Sequence, residues 1–186
     1  MDTIYSYRMI MMIEAGLYLT GSVCHDLVKV VNMMSRRHIT TVTRSYIDHH
    51  HLVYNMKLRD DDVWVVTFPK CGTTWTQEVT WNILNGVSIE QISEAMETRS
   101  PFIDQPMITS FSLYKAEQYF AELESRCSPR TIKTHYPFTL LPPGLLDTCK
   151  VIFVCRNVKD VCVSYFHHET LMKHHDLKCD FITYAR

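Results

Sequence analysis

The sequence carries almost no net charge. Nineteen lysines and arginines oppose twenty aspartates and glutamates, which gives a formal charge of −1 at pH 7. A protein without a large field of one sign has no long-range attraction for nucleic acid or for anionic lipid. We therefore expect neither nucleic acid nor a membrane as a partner, and any site for an anion must be built locally.

Long apolar runs and closely paired cysteines are missing as well. The apolar run at residues 9–19 is interrupted by Glu14, whereas a transmembrane helix needs about 20 nearly uncharged residues. No small-residue cleavage site follows this run. The seven cysteines form no C-x-x-C pair of the kind that zinc sites and redox motifs use. We therefore expect a cytoplasmic protein with free thiols.

The histidines lack the spacing of a metal site. They cluster at residues 49–51, 167–168 and 174–175. A zinc-binding helix places its ligands as H-E-x-x-H, but Met172 follows the His168-Glu169 pair where the second ligand would stand. We interpret these clusters as solvated surface and predict no bound metal.

The composition, with 46% hydrophobic and 21% charged residues, is typical of a globular protein. Residues 1–58 form an N-terminal extension with helix-like apolar spacing and few turn residues. Two interpretations of it remain open: a helical layer that covers a sheet edge, or a loosely ordered leader. Residues 59–186 carry clearer signals, and we assign them to one domain.

These signals alternate between strands and helices. Apolar and β-branched residues dominate residues 63–68, VWVVTF, as a parallel strand buried on both faces requires. A helix follows this strand and ends at Asn85-Gly86. Further strands are predicted at residues 130–134 and 151–155, and further helices at residues 88–97 (from the capping-box spacing of Ser88 and Gln91), 112–126 and 158–172. The alternation predicts an α/β fold with a central parallel sheet flanked by helices.

Cationic side chains follow each predicted strand. Lys70 comes after the first strand, Lys133 and His135 lie at the end of the second, and Arg156 comes after the third. Because ligands of α/β sheets bind beyond the carboxyl ends of the strands, we expect these residues to converge on one crevice. Three cations and one titratable base predict a pocket for a polyanion.

Residues 69–75, PKCGTTW, which we call the phosphate loop, predict an anion cradle. Gly72 allows a tight turn, and Thr73 and Thr74 then open a helix with free N–H groups at its positive end. The nucleotide triphosphatase pattern G-x-x-x-x-G-K-[ST] is absent: Lys70 precedes the glycine, and Cys71 stands where a magnesium-binding hydroxyl would follow a lysine. This argues against a nucleotide kinase and favours an anion loop without metal.

Three segments together resemble the cytosolic sulfotransferase family, in the order that the family has them. The phosphate loop is similar to its 5′-phosphosulfate loop, residues 129–137 (PRTIKTHYP) to its catalytic strand, and residues 156–165 (RNVKDVCVSY) to its 3′-phosphate site. Residues 99–102, RSPF, are similar to a loop that lines the acceptor pocket. The resemblance implies a P-loop-like three-layer fold and, for residues 59–186, a partial sulfotransferase domain.

The resemblance also implies an activity: transfer of a sulfuryl group from 3′-phosphoadenylyl sulfate to a hydroxyl or amine of a small-molecule acceptor, with 3′-phosphoadenosine 5′-phosphate (PAP) as product and no metal. His135 would be the general base, Lys133 would steady the sulfuryl oxygens, and Lys70 would stabilise charge on the leaving phosphate. The implied donor-binding residues are Lys70, Cys71, Gly72, Thr73, Thr74, Trp75, Arg156 and Ser164, and the implied acceptor pocket comprises Phe68, Phe102, Tyr136 and Phe138.

The family continues beyond the position that corresponds to Arg186, with a further parallel strand, a glycine-rich basic segment and a C-terminal dimerisation motif. We therefore expect a domain that lacks its C-terminal part, no family-type homodimer, and an exposed sheet edge at residues 63–68. A catalytically inactive, anion-binding remnant stays open as an alternative. The acceptor also stays open among steroids, phenols, catechols and alcohols.

Overall fold

A computed structural model of the chain describes residues 27–31, 39–87, 94–108, 115–172 and 177–186. Three of the sequence features lie outside these residues: the apolar run at 9–19, the capping box of Ser88 and Gln91, and the histidines at 174–175. The chain divides into two compact units. One comprises Met1–Ile47 with Arg156–Arg186, and the other comprises Asp48–Cys155.

The Asp48–Cys155 unit is built on a three-stranded parallel sheet. Strand β3 (Val63–Thr67) lies in the centre, between β4 (Thr131–Thr134) and β5 (Lys150–Val154). All five residues of β3 are buried, as the apolar run predicted for a strand covered on both faces.

The prediction that residues 63–68 form an exposed edge of the sheet is wrong. Strand β3 pairs with a neighbour on each side, with Val63 opposite both Thr131 and Lys150. The prediction failed because a strand that is apolar on both faces is stabilised most at the centre of a sheet, whereas β5 pairs with β3 alone within the described part of the chain. The side chains of Ile152 and Phe153 on β5 are correspondingly exposed by 37% and 60%.

Helices and turns connect these strands. Helix α2 (Thr73–Asn85) ends where Gly86, at φ 62°, donates its N–H to the carbonyl of Asn82, because glycine adopts this left-handed conformation without steric cost. The helices of this unit are α1 (Arg44–Tyr54), which begins in the other unit, α2 (Thr73–Asn85), α3 (Met96–Arg99), α4 (Gln105–Ile108), α5 (Ala116–Ser125) and α6 (Leu145–Thr148), with a 3₁₀ turn at Phe138–Leu140.

The helix predicted at residues 88–97 is only partly observed among the described residues, since α3 begins at Met96 and Ala95 is extended. Long-range contacts decide the local structure here. The buried guanidinium of Arg99 donates from Nε to the carbonyl of Glu94 at 3.0 Å and forms two further hydrogen bonds with Glu78 of α2. The helix predicted at 112–126 is observed from Ala116 to Ser125, and residues 112–114 lie outside the described residues.

A buried ion pair joins the segments that lead into β3 and β4. Arg130 donates from Nε to Asp62 Oδ1 at 2.8 Å and from Nη2 to the carbonyl of Lys57 at 2.9 Å. Both charged side chains are at most 1% exposed. Because each ion has its partner and further hydrogen bonds, the pair fixes where the two strands begin.

In the other unit, strands β1 (Leu27–Val31) and β2 (Ile39–Thr43) form an antiparallel pair. Neither interpretation of residues 1–58 included strands, although both segments are rich in the β-branched residues that favour them. Helix α7 (Val158–Leu171) begins after Asn157, whose side chain accepts the N–H of Lys159 at 2.9 Å. A short helix α8 (Phe181–Tyr184) follows, with the ring of Phe181 5.3 Å from that of Phe166.

Candidate active site

The phosphate loop turns sharply between β3 and α2. Lys70 and Gly72 both adopt left-handed backbone conformations, with φ 67° and 101°. A side chain at position 72 would meet no atom within 4 Å, so the backbone conformation rather than space favours glycine there. The turn brings the chain into the N-terminus of a thirteen-residue helix, whose first N–H groups have no partner inside the helix. This geometry suits an anion.

His135 lies directly after β4 and points its ring at the end of β3. Its Nδ1 is 2.8 Å from the carbonyl oxygen of Thr67 and 3.2 Å from the hydroxyl of the same residue. A carbonyl oxygen can only accept, so Nδ1 carries the hydrogen of the neutral ring and Nε2 keeps its lone pair. The imidazole is therefore arranged to accept a proton at Nε2.

The surroundings keep this imidazole neutral. Burial and, next, the Lys133 ammonium lower the pKa of His135 from 6.5 to about 4, against the opposing hydrogen bond to Thr67. Both causes disfavour the imidazolium. At neutral pH the ring holds no proton at Nε2 before a reaction begins.

A chain of hydroxyl groups links His135 to the phosphate loop. The Thr67 hydroxyl lies 2.6 Å from that of Thr73, the first residue of α2, and both threonines are buried. Thr67 thus contacts the base on one side and the anion cradle on the other. The side chain of Thr67 alone thus connects Thr73 to His135 in this chain of contacts.

Two lysines contribute positive charge in the same region. The Nζ of Lys133 sits 4.0 Å from the centre of the Phe102 ring, a distance at which a cation is attracted to an aromatic face. Burial lowers the pKa of Lys133, Asp104 and Glu97 oppose this, and the Lys70 ammonium lowers it further. The Lys70 ammonium therefore lies close enough to Lys133 to disfavour the charged form of Lys133.

The four predicted acceptor residues differ in their burial and in their ring contacts. The ring of Phe102 lies 5.1 Å from that of His135 in an edge-to-face arrangement, which places it at the base. Phe138 packs 5.8 Å from Phe153 of β5 instead. Phe68 and Tyr136 are half-buried. Phe102 therefore contacts the imidazole of His135, and the acceptor-pocket role of all four residues stays a prediction.

The other predicted donor residues differ in their exposure. Trp75 is 72% exposed, so its ring is accessible as a stacking surface. Cys71 is 8% exposed, and its amide donates within the turn to the carbonyl of Phe68 at 3.3 Å. Arg156 and Ser164 belong to the other unit, the first exposed just before α7 and the second half-buried on that helix. Their part in a 3′-phosphate site stays a prediction.

The sequence interpretation missed two residues of this region, Thr67 and Asp104. Asp104 is 1% exposed and accepts the backbone N–H of His135 at 2.8 Å. A signal for each was present: Thr67 is the polar residue that closes an apolar strand, and Asp104 is the lone charge in the apolar stretch PFIDQPMI. Buried polar residues in such positions require hydrogen-bond partners.

Two features are absent from the described ranges. They hold no group of three or more histidine, cysteine, aspartate or glutamate side chains arranged to bind a metal ion. Their helices are also too short or too polar to cross a lipid bilayer.

Comparisons with known proteins agree with the motifs. The sulfotransferase domain family matches residues 60–184. Luciferin sulfotransferase of Photinus pyralis is 31% identical over 163 residues, which cover 79% of this chain and 43% of the relative. Sulfotransferase 1A1 of Rattus norvegicus is 38% identical over 117 residues, or 62% of this chain and 38% of the relative.

A solved structure shares the fold. Retinol dehydratase, crystallised with retinol and PAP, superposes with a TM-score of 0.73 at 26% identity and covers 95% of this chain and 57% of its own. The chain spans less than half the length of the curated relatives named above. The matched domain, the relatives and the shared fold establish that this chain belongs to the sulfotransferase family.

Proposed function

We propose that this chain transfers a sulfuryl group from 3′-phosphoadenylyl sulfate to a hydroxyl or amine of a small molecule. The observation that carries the proposal is the position of a neutral His135 beside the phosphate loop, to which Thr67 and Thr73 connect it. A base and an anion cradle in contact are what an in-line transfer between a bound donor and an acceptor needs.

The phosphate loop fits the 5′-phosphate of such a donor. The left-handed turn at Gly72, the helix N-terminus and the Thr73 hydroxyl supply uncharged donors, and Lys70 supplies a full charge. The exposed Trp75 is a stacking surface for the adenine. Arg156 and Ser164 would hold the 3′-phosphate, a role that rests on the family resemblance.

In the proposed reaction the acceptor oxygen attacks sulfur while its proton moves to Nε2 of His135. The new oxygen–sulfur bond forms as the bond from sulfur to the 5′-phosphate oxygen breaks, and that oxygen leaves with the bonding electron pair on PAP. Lys70 would stabilise the charge on the leaving phosphate, and Lys133 the sulfuryl oxygens. A sulfuryl group carries less charge than a phosphoryl group, so lysines and amides suffice without a metal.

We propose an apolar small-molecule acceptor and a cytoplasmic site of action. The Phe102 ring beside His135 offers the acceptor an apolar surface, and the related retinol dehydratase has been crystallised with retinol and with androsterone. The six described cysteines are all free, as expected in a reducing compartment.

Sulfuryl transfer from labelled 3′-phosphoadenylyl sulfate to a panel of phenols, steroids and alcohols tests the proposal. We expect His135→Ala to reduce transfer by about 10²- to 10⁴-fold, the usual contribution of a general base. His51→Ala, which removes an exposed histidine on α1, is the matched control and should leave transfer unchanged.

Thermal denaturation with PAP tests donor binding separately. A ligand at about 100 times its Kd stabilises the folded state by about 2.7 kcal/mol, so the melting temperature should rise. A rise without transfer by the wild type would favour the inactive, anion-binding remnant. No rise at millimolar PAP would contradict the donor site itself.

A further inference from the structure

Residues 99–104, which we call the bracing segment, run beside β4 on the side away from β3. The N–H of Lys133 donates to the carbonyl of Pro101 at 2.9 Å, and the N–H of Ile103 donates to the carbonyl of Lys133 at 3.1 Å. These two hydrogen bonds form a parallel β-bridge between Phe102 and Lys133. The bracing segment therefore begins a strand-like ladder along β4.

The carboxylate of Asp104 accepts the hydrogen bond that a backbone carbonyl would accept next in this ladder. In a continuing parallel ladder, the N–H of His135 would donate to the carbonyl of Ile103. It donates instead to Asp104 Oδ2 at 2.8 Å, while Asp104 Oδ1 accepts the hydroxyl of Thr134 at 2.6 Å. The carboxylate thus binds two consecutive residues at the end of β4, in a site that is 1% exposed.

The effect extends one residue further. The Thr134 hydroxyl, whose hydrogen is given to Asp104, accepts the N–H of Tyr136 at 3.0 Å. One carboxylate thereby fixes the main chain on both sides of His135. The path of this main chain decides whether Nδ1 reaches the carbonyl of Thr67, and hence whether Nε2 faces the acceptor.

The bracing segment is itself held rigidly. Gln77 of α2 donates to the carbonyl and hydroxyl of Ser100 at 3.2 and 3.0 Å, Arg99 forms hydrogen bonds of 2.8 and 2.7 Å with Glu78, and the Tyr119 hydroxyl donates to the carbonyl of Phe102 at 2.9 Å. Because these hydrogen bonds fix the bracing segment, the carboxylate of Asp104 can hold the main chain of His135 within a narrow range of positions.

We propose that Asp104 is a positioning residue, which orients the imidazole of His135 by binding the main chain that carries it. A carboxylate suits this role because both oxygens accept, and the two groups that face them both donate. An asparagine side chain has the same shape but only one oxygen that accepts. Its NH₂ group would face one of the two donors, so that one hydrogen bond would be lost.

The charged and titratable groups around Asp104 are the Lys133 ammonium, His135 and the Tyr119 hydroxyl. Burial raises the pKa of Asp104 to about 7, while the bonds from Thr134 and His135 and the nearby Lys133 lower it. These hydrogen bonds favour the ionised form that the proposed role uses, and with the pKa at about 7 this form predominates above neutral pH.

The inference rests on the proposed function of His135, so its test includes a measurement that needs no turnover. Asp104→Asn should reduce kcat about 100-fold, as expected when a reacting group is misplaced by about 1 Å, with the KM for the donor unchanged. Long-range proton–nitrogen NMR spectra of the histidine rings, assigned with His135→Ala, should show a hydrogen only on Nδ1 of His135 in the wild type and a mixture of tautomers in Asp104→Asn.

Two further variants separate positioning from stability. Tyr119→Phe removes one hydrogen bond to the same segment, the one that the Tyr119 hydroxyl donates to the carbonyl of Phe102, and should leave both kcat and the tautomer unchanged. Thr134→Val removes one of the two donors to Asp104 and should shift the tautomer in the same direction as Asp104→Asn, which covers the case in which Asp104→Asn does not fold.

An unchanged tautomer in Asp104→Asn and Thr134→Val, with a kcat no lower than that of Tyr119→Phe, would overturn the proposal. Absence of transfer by the wild type would instead contradict the proposed function, while the NMR comparison would still decide the role of Asp104.

Discussion

The lowered pKa of His135 should make folding stability depend on pH in a measurable way. The folded-state pKa of about 4 lies below the unfolded value of 6.5, so the unfolded chain binds more protons between these values. The stability that the neutral His135 contributes is therefore fully present above about pH 6.5 and is lost as the pH falls toward 4. Between pH 7.5 and pH 5, protonation of His135 in the unfolded chain lowers the free energy of unfolding by about 2 kcal/mol.

His135→Asn isolates this contribution. Asparagine does not titrate, and its side-chain amide can still donate to the carbonyl of Thr67. Asp104, whose pKa is raised to about 7, acts in the opposite direction, because its neutral form favours the folded state and this gain is lost as the pH rises from about 4 to 7. Since Asp104 is present in both proteins, the difference between them removes its effect.

Urea denaturation of wild type and His135→Asn at pH 5 and pH 7.5 provides the measurement. We expect the wild type to lose about 2 kcal/mol more of its unfolding free energy than the variant on going to pH 5. Equal losses in the two proteins would refute the reasoning, because they would mean that His135 titrates with the same pKa in the folded and unfolded chain.

Four further substitutions have distinct expected outcomes. Gly72→Ala should destabilise the fold by about 1 to 2 kcal/mol, since φ 101° is strained for any other residue, and reduce the thermal shift with PAP. Asp62→Asn should lower the unfolding free energy in urea by about 3 kcal/mol or more, because it leaves Arg130 buried without its partner charge, whereas Glu78→Gln, at a partly exposed pair, should cost less. Thr67→Val removes the hydroxyl that joins the phosphate loop to the histidine, and should lower kcat in steady-state assays while the PAP thermal shift persists.

Local sequence patterns were sufficient to predict the elements on either side of the phosphate loop. The apolar run at residues 63–68, the glycine at position 72 and the Asn85-Gly86 stop each express a preference of the chain itself, and the strand, turn and helix lie where these signals put them. The family motifs likewise pointed to His135 and Lys133, and the Lys133 ammonium lowers the pKa of His135 in the structure; their roles in the reaction stay predictions.

The rest depends on contacts between distant residues. The central place of β3 in the sheet follows from pairing with two strands far along the chain. The short helix at Met96–Arg99 follows from the pairing of Arg99 with Glu78. The role of Asp104 follows from donors 30 and 31 positions away. No local pattern encodes such partners.

The central position of β3 has a consequence for the resting protein. Its backbone amides are bonded on both sides and sealed from water, so they should exchange with deuterium more slowly than those of β5. Both the anion cradle and the carbonyl that orients the imidazole are attached to this strand. The site for a donor molecule would therefore be preorganised, and binding would require little loss of conformational entropy in this part of the chain.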